Sequence, residues 1–134
     1  ILDRAFDGCS TLTGVTVDAE NAVYSSDEFG VLFNKDKTEL IKYFAGNTAT
    51  SYTIPNTVTA IASGAFSGCT NLTTIAIPES VKTIDSNVFA NCTNLADVTI
   101  SEGVQTIGSS AFSGCTSLSS ITIPFIITNS SHFK

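Results

Sequence analysis

One pattern of residues repeats between positions 54 and 124, and each of its landmarks returns after 23 residues. The middle copy carries the landmarks Ile77, Pro78, Val81, Ile84, Phe89, Cys92, Leu95, Val98 and Ile100. A unit of 23 residues cannot bury its own apolar side chains, so neighbouring units must stack on one another. The chain is therefore predicted to form a repeat solenoid.

The last part of each unit alternates apolar and polar residues, which is typical of a β-strand with one buried face. Stacked strands lie about 4.8 Å apart in a parallel sheet, so each position of the repeat becomes a column along the molecule. A second, shorter extended segment is predicted at 58–61, 81–84 and 104–107. We expect one interior column to consist of Phe6, Phe66, Phe89 and Phe112.

An Ala-Phe or Val-Phe pair follows the short extended segment, and we predict a helical or 3₁₀ turn there. The turn is closed by Gly68, Asn91 or Gly114. Glycine and asparagine are the residues that most readily adopt a left-handed backbone conformation. The fold class is therefore mainly β, with a sheet of parallel strands and short helical or 3₁₀ turns.

One unit departs from the 23-residue spacing, because Val17 and Ile54 are 37 residues apart. Within it, two β-prone runs at 30–33 and 38–43 flank the polar turn 34–37, which predicts a β-hairpin. We predict a single solenoid over 1–124, with the irregular long unit at 18–53 and regular units at 54–124. Residues 125–134 are predicted to be a tail that partly covers the open edge or begins a further unit. The chain lacks methionine and starts inside a repeat, as expected of a fragment of a larger protein.

The repeat resembles the BspA-like branch of the leucine-rich repeat proteins, on the landmarks given above and their counterparts over 1–124. The long unit is similar to the hairpin insert of that family. The resemblance implies a cell-surface or secreted microbial protein that can act as an adhesin, with host matrix or cell-surface proteins as partners. No family motif marks ligand residues.

The charge and residue composition of the chain exclude several classes of function. The formal net charge of −6 and pI near 4.4 argue against nucleic acid or an anionic membrane as partner. No run of residues suggests direct membrane insertion of this fragment. The single histidine, His132, lies in the tail, so no Ser/His/Asp or Cys/His arrangement is expected on the scaffold. We therefore expect no enzyme and no cofactor. Lys35 and Lys37, interleaved with the acidic residues of the hairpin turn, argue against a calcium site.

Four cysteines would ordinarily suggest disulfides in an extracellular protein. Cys69, Cys92 and Cys115 share one column, however, so their side chains should be parallel and about 4.8 Å apart. A disulfide requires converging Cβ atoms about 3.8 Å apart. We expect buried free thiols rather than disulfides, and no zinc site.

The predicted binding site is the outward face of the main strands, which should form one flat or gently concave, threonine-rich surface. Its residues are Thr16, Thr53, Thr74, Ala76, Asp97, Thr99, Ser120 and Thr122. The hairpin offers a competing site, with Tyr24, Phe29, Tyr43 and Phe44 expected to be exposed. The sequence favours a non-enzymatic interaction or adhesion module. An architectural spacer without a ligand is the alternative, and part of a surface hydrolase is a remote one.

Overall fold

The structure of the chain is a computed structural model, and it describes residues 5, 6 and 8–123. These residues form a β-solenoid whose walls are two sheets. Sheet 1 consists of β4 (Ser51–Thr53), β6 (Thr74–Ile77), β8 (Asp97–Ile100) and β10 (Ser120–Thr122). Sheet 2 consists of β1 (Tyr24–Ser26), β2 (Leu32–Asn34), β3 (Glu39–Lys42), β5 (Ala60–Ile61), β7 (Thr83–Ile84) and β9 (Thr106–Ile107). The predicted solenoid is confirmed.

Sheet 1 is wholly parallel, with neighbours in the order β4, β6, β8 and β10. Equivalent repeat positions pair directly, as Ile75 with Val98 and Val98 with Ile121. Because side chains alternate along a strand, every second residue faces the interior. The burial of β6 and β8 follows this alternation strictly, from an exposed first residue to a buried last one. The 23-residue period is therefore the strand register.

Sheet 2 combines parallel and antiparallel pairing. Strands β3, β5, β7 and β9 are parallel, each one unit further along the chain. In the long unit β2 pairs antiparallel with β3 across the polar turn 34–37, as the sequence predicts. The additional strand β1 pairs antiparallel with β2 and forms the edge of the sheet. The long unit thus joins the solenoid through β3.

The segments around Phe66, Phe89 and Phe112 are series of single hydrogen-bonded turns, each closed by a bond between residues three apart, and they do not form a helix. Amides alternate between two kinds of partner. Cys69 N donates to Phe66 O within its own turn, whereas Phe66 N donates to Val88 O of the next unit. A helix would direct every amide along its own axis, but here half of them connect the units. The left-handed closing position is confirmed, with φ of 73° at Gly68, 61° at Asn91 and 77° at Gly114.

The core contains one continuous pile of aromatic rings. Phe66 stacks on Phe89 with ring centroids 5.1 Å apart, and Phe89 stacks on Phe112 at 5.4 Å. The predicted fourth member, Phe6, is not in the pile, because its ring packs edge-on against Phe44. Tyr43 takes its place, stacked on Phe66 at 5.0 Å. The long unit therefore supplies the aromatic ring from β3's end rather than from the first repeat.

The core is closed less completely at its C-terminal end. Leu118 and Ile121 are half-buried, whereas their counterparts in the two preceding units are buried. The tail predicted at 125–134 lies outside the described residues. The described residues contain no helix long and apolar enough to cross a membrane.

Replacing Phe89 by Ala should lower the free energy of unfolding by about 3–5 kcal/mol, since the rings on both sides cannot close the gap. Urea unfolding followed by circular dichroism would measure it. Phe29→Ala is the matched control, because that ring is 55% exposed and its loss should cost about 1 kcal/mol or less. Equal losses for the two variants would contradict a stacked aromatic core.

Candidate functional site

Seven of the eight predicted binding residues lie together on the exposed face of sheet 1. They form two rows that cross the strands, since equivalent positions are paired in register. The first row is Ser51, Thr74, Asp97 and Ser120, and the second is Thr53, Ala76, Thr99 and Thr122. All eight positions are exposed. We call this surface the hydroxyl face.

Strand geometry sets the spacing of the hydroxyl face. Neighbouring residues in one row lie about 4.8 Å apart, and the two rows are separated by two residues along each strand, or about 6.6 Å. No side chain of the face has a hydrogen-bond partner among the described residues. Its polar atoms are thus available to solvent or to a partner. Asp97 is the one charged side chain of the eight.

Polar ladders beside sheet 1 hold the backbone of the hydroxyl face in place. Asn71 Nδ2 donates to Asn47 O at 3.0 Å, and Asn94 Nδ2 donates to Thr70 O at 2.6 Å. Thr73 Oγ1 adds a bond to the preceding unit. Each bond spans 23 or 24 residues, so it connects adjacent units just before a strand begins. The face is therefore pre-organised by bonds outside its own residues.

Thr16 is exposed but does not join the hydroxyl face. It lies outside any strand, between Val15, whose N donates to Gly30 O, and Val17, whose N donates to Ser26 Oγ. Both bonds direct this segment to the β1–β2 loop region rather than to β4. The eighth residue of the face is Ser51, in the first row, which was not among the predicted binding residues. Alternation around buried Tyr52 is the signal that could have found it.

At the competing hairpin site, the prediction of exposure is wrong for two of the four aromatic residues. Tyr43 and Phe44 are only 1% and 2% exposed and belong to the core. Tyr24 is half-buried, and Phe29 remains exposed. The Tyr43 error arose because the long unit lacks a phenylalanine in the repeat register, so its tyrosine fills the aromatic column.

Tyr52 connects sheet 1 to the loop between β1 and β2. Its Oη donates to Asp27 Oδ2 at 2.6 Å, while Asp27 Oδ1 accepts from the amides of Phe29 and Val31. Burial, followed by the hydrogen bond to Asp27, raises the pKa of the Tyr52 hydroxyl. Burial likewise raises the pKa of Tyr43 to about 12, but its Oη is buried without a hydrogen-bond partner among the described residues.

The cysteines form a thiol column, as predicted for three of the four. Cys92 Sγ donates to Phe66 O at 3.0 Å, and Cys115 Sγ donates to Phe89 O at 3.0 Å. Burial raises the pKa of Cys69 to about 12 and also raises that of Cys92. A thiol with a raised pKa is a poor nucleophile at neutral pH. Cys9, expected to be buried, is instead exposed.

Nothing in the described part of the chain gathers three or more His, Cys, Asp or Glu side chains in a way that could hold a metal ion. His132 lies outside the described residues. The described chemistry is therefore that of hydroxyl, amide and carboxylate groups on a rigid scaffold.

A sequence model of the BspA-type leucine-rich repeat region matches residues 41–133, in six copies. The chain belongs to the BspA-type leucine-rich repeat family. This match covers most of the chain, including all of the regular units. No curated protein sequence matches the chain.

Solved structures of bacterial proteins share the fold. The pneumococcal vaccine antigen PcpA is 30% identical with a TM-score of 0.84, over 88% of this chain and 29% of PcpA. The leucine-rich repeat protein of T. pallidum is 25% identical with a TM-score of 0.63, over 83% of this chain and 51% of that one. A leucine-rich cell surface protein of Faecalibacterium prausnitzii is 25% identical with a TM-score of 0.51, over 95% and 44% respectively. The chain thus spans about half or less of the length of each of these three proteins.

Two neighbouring tyrosines should respond oppositely to loss of their hydroxyl groups. Tyr52→Phe should lower the free energy of unfolding by about 1–2 kcal/mol, because it removes the bond to Asp27. Tyr43→Phe should leave stability unchanged or raise it by up to about 1 kcal/mol, because its hydroxyl has no partner to lose. Urea unfolding of both variants tests this. A larger loss for Tyr43→Phe than for Tyr52→Phe would refute it.

Proposed function

We propose that this chain is a non-enzymatic protein-interaction module of a bacterial cell-surface or secreted protein, and that the hydroxyl face is its binding surface. The observation that carries the proposal is the eight-residue exposed face, whose polar side chains have no hydrogen-bond partners among the described residues. Such a surface offers many weak, regularly spaced polar contacts without the cost of ordering loops.

Membership of the BspA-type family supports the surface location. One similar structure is described as a cell surface protein and another as a vaccine antigen, and such proteins are accessible outside the cell. Burial raises the pKa of the column cysteines, which disfavours these thiols as nucleophiles. The partners proposed are host matrix or cell-surface proteins.

The small number of charges on the hydroxyl face favours a partner that is recognised through hydrogen bonds. The hydroxyl face carries one carboxylate, Asp97, and no cation. With few charges, electrostatic steering contributes little to association, so affinity would come from contact area and hydrogen bonding. A nucleic-acid partner is disfavoured by the absence of basic residues on this face and by the formal net charge of −6.

An architectural spacer is the second candidate. The continuous aromatic pile and the ladders between units favour it, because they hold each unit to the next at a fixed spacing. A spacer needs no side chain on sheet 1 in particular. The two functions therefore differ in their response to a surface substitution.

A matched pair of substitutions would distinguish a binding module from a spacer. Thr74→Arg places a bulky cation in the hydroxyl face, and Thr83→Arg places the same group on sheet 2. Both threonines are exposed on inner strands, and their amides donate to the equivalent carbonyls of Thr50 and Thr59. Both variants should fold with the stability of the parent chain, within about 0.5 kcal/mol.

Binding should be measured by surface plasmon resonance against immobilised fibronectin, laminin, collagen and fibrinogen. We expect the parent chain to bind at least one of them, Thr83→Arg to bind equally well, and Thr74→Arg to lose at least about tenfold in affinity, or about 1.4 kcal/mol. Absence of binding to all four, with a folded chain, would favour the spacer. Equal losses for both variants would remove the hydroxyl face from the proposal.

A further inference from the structure

A cleft of about 320 Å³ opens between the first repeat and the third turn of the solenoid. It lies away from the hydroxyl face, on the side where the turn segments stack. Its polar lining comes from the first repeat, the end of β3 and the Ser67 turn. The residues used below are Gly8, Cys9, Lys42, Ala45, Ser67 and Gly68.

The cleft exists because the backbone ladder between units is interrupted there. In the regular units, Gly68 N donates to Ala90 O at 2.8 Å and Asn91 N donates to Ser113 O at 2.7 Å. Gly8 occupies the position of these donors in the repeat, yet its N–H has no backbone partner among the described residues. Ser67 occupies the position of the acceptors, and its carbonyl is equally unpaired within that part of the chain.

The long unit explains why the interruption occurs. Tyr43 N donates to Ala65 O at 2.8 Å, which is the bond expected of a regular unit. Three residues later the chain turns away, because Gly46 N donates to Leu12 O instead of bonding within its own turn. Ala45 N consequently makes no bond to Ser67 O. One backbone segment of the stack is missing at this place.

A basic side chain lies beside the missing segment. Lys42 is half-buried, lines the cleft, and donates from Nζ to Gly64 O at 3.2 Å. An ammonium has three donor hydrogens, so Lys42 can bind a further acceptor. Among the described residues that line the cleft, Lys42 is the only one with a charged side chain.

We propose that the cleft binds a short extended peptide segment of a partner protein that carries an acidic side chain. The peptide backbone would pair with Gly8 N–H and Ser67 C=O and replace the missing part of the ladder, which is the chemistry of strand addition. Its carboxylate would accept from Lys42 Nζ in a charge-assisted hydrogen bond. This site is independent of the hydroxyl face.

The test uses the whole chain and two blocked peptides, one of alternating alanine and glutamate and one of alternating alanine and lysine. Amide chemical shifts would be followed by NMR at millimolar peptide, with sodium acetate as a third ligand. The glutamate peptide should shift the amide signals of Gly8 and Ala45. The lysine peptide and acetate should leave them unchanged, since one repels Lys42 and the other lacks a backbone.

Lys42→Gln should lower the affinity for the glutamate peptide at least about tenfold. Lys82→Gln is the matched control and should bind the peptide as tightly as the parent chain does. Lys82 Nζ also lies on a backbone carbonyl, that of Glu79, but away from the cleft. Should Lys42→Gln unfold, Ala45→Phe fills the cleft without removing a charge and should abolish the shifts. No shift with the glutamate peptide, the same shifts with acetate, or full binding by folded Ala45→Phe would overturn the proposal.

Discussion

The structure depends on equivalent residues of successive units lying directly above one another at the spacing of hydrogen-bonded strands. Parallel pairing fixes this distance on both sheets, and alternate amides of the turn segments continue it around the third side. An aromatic ring is thinner than this spacing, so Phe66, Phe89 and Phe112 can stack with ring centroids 5.1 and 5.4 Å apart. A Cβ added at Gly103 would collide with the carbonyl oxygen of Glu79, which shows how closely the turns approach.

The regular units could be predicted from the sequence because one constraint acts on every residue in them. Leu72, Ile75 and Ile77 face inward by alternation, and the same reasoning applied to each unit locates strands, register and core together. The left-handed residue at Asn91 was predictable for the same reason, since it occurs where two other units have glycine. The bonding within the turn segments was not predictable, because the sequence does not reveal whether an amide bonds within its own turn or to the next unit.

The long unit could be predicted only in part. Its hairpin follows from local alternation and a polar turn, but its packing depends on contacts distant in sequence. Tyr43 replaces Phe6 in the aromatic pile, and Thr16 is held by the β1–β2 region rather than by sheet 1. Tyr43 does stand in the repeat register, 23 residues before Phe66, so its place in the pile could have been predicted, whereas the position of Thr16 could not. The hydroxyl face was largely predictable as geometry, whereas its ligand is not encoded in any motif.

The same stack explains where function can reside. Inward positions are fixed by their neighbours above and below, so their identity changes little from unit to unit. Outward positions such as Ala76 and Asp97 differ between units without disturbing the register. The interrupted ladder beside Lys42 is a second kind of place, where backbone groups have no backbone partner among the described residues. Variation for binding is thus confined to surfaces that the stack does not use.

Double-mutant cycles on the aromatic pile test this account most directly. Phe66→Leu and Phe89→Leu alter adjacent rings 5.1 Å apart, whereas Phe66→Leu and Phe112→Leu alter rings separated by one unit. Measured by urea unfolding, the adjacent pair should show a coupling energy of about 0.5–1.5 kcal/mol, and the separated pair should be additive within about 0.5 kcal/mol. Additivity in the adjacent pair, or equal coupling in both, would contradict a fold built on contacts between neighbouring units.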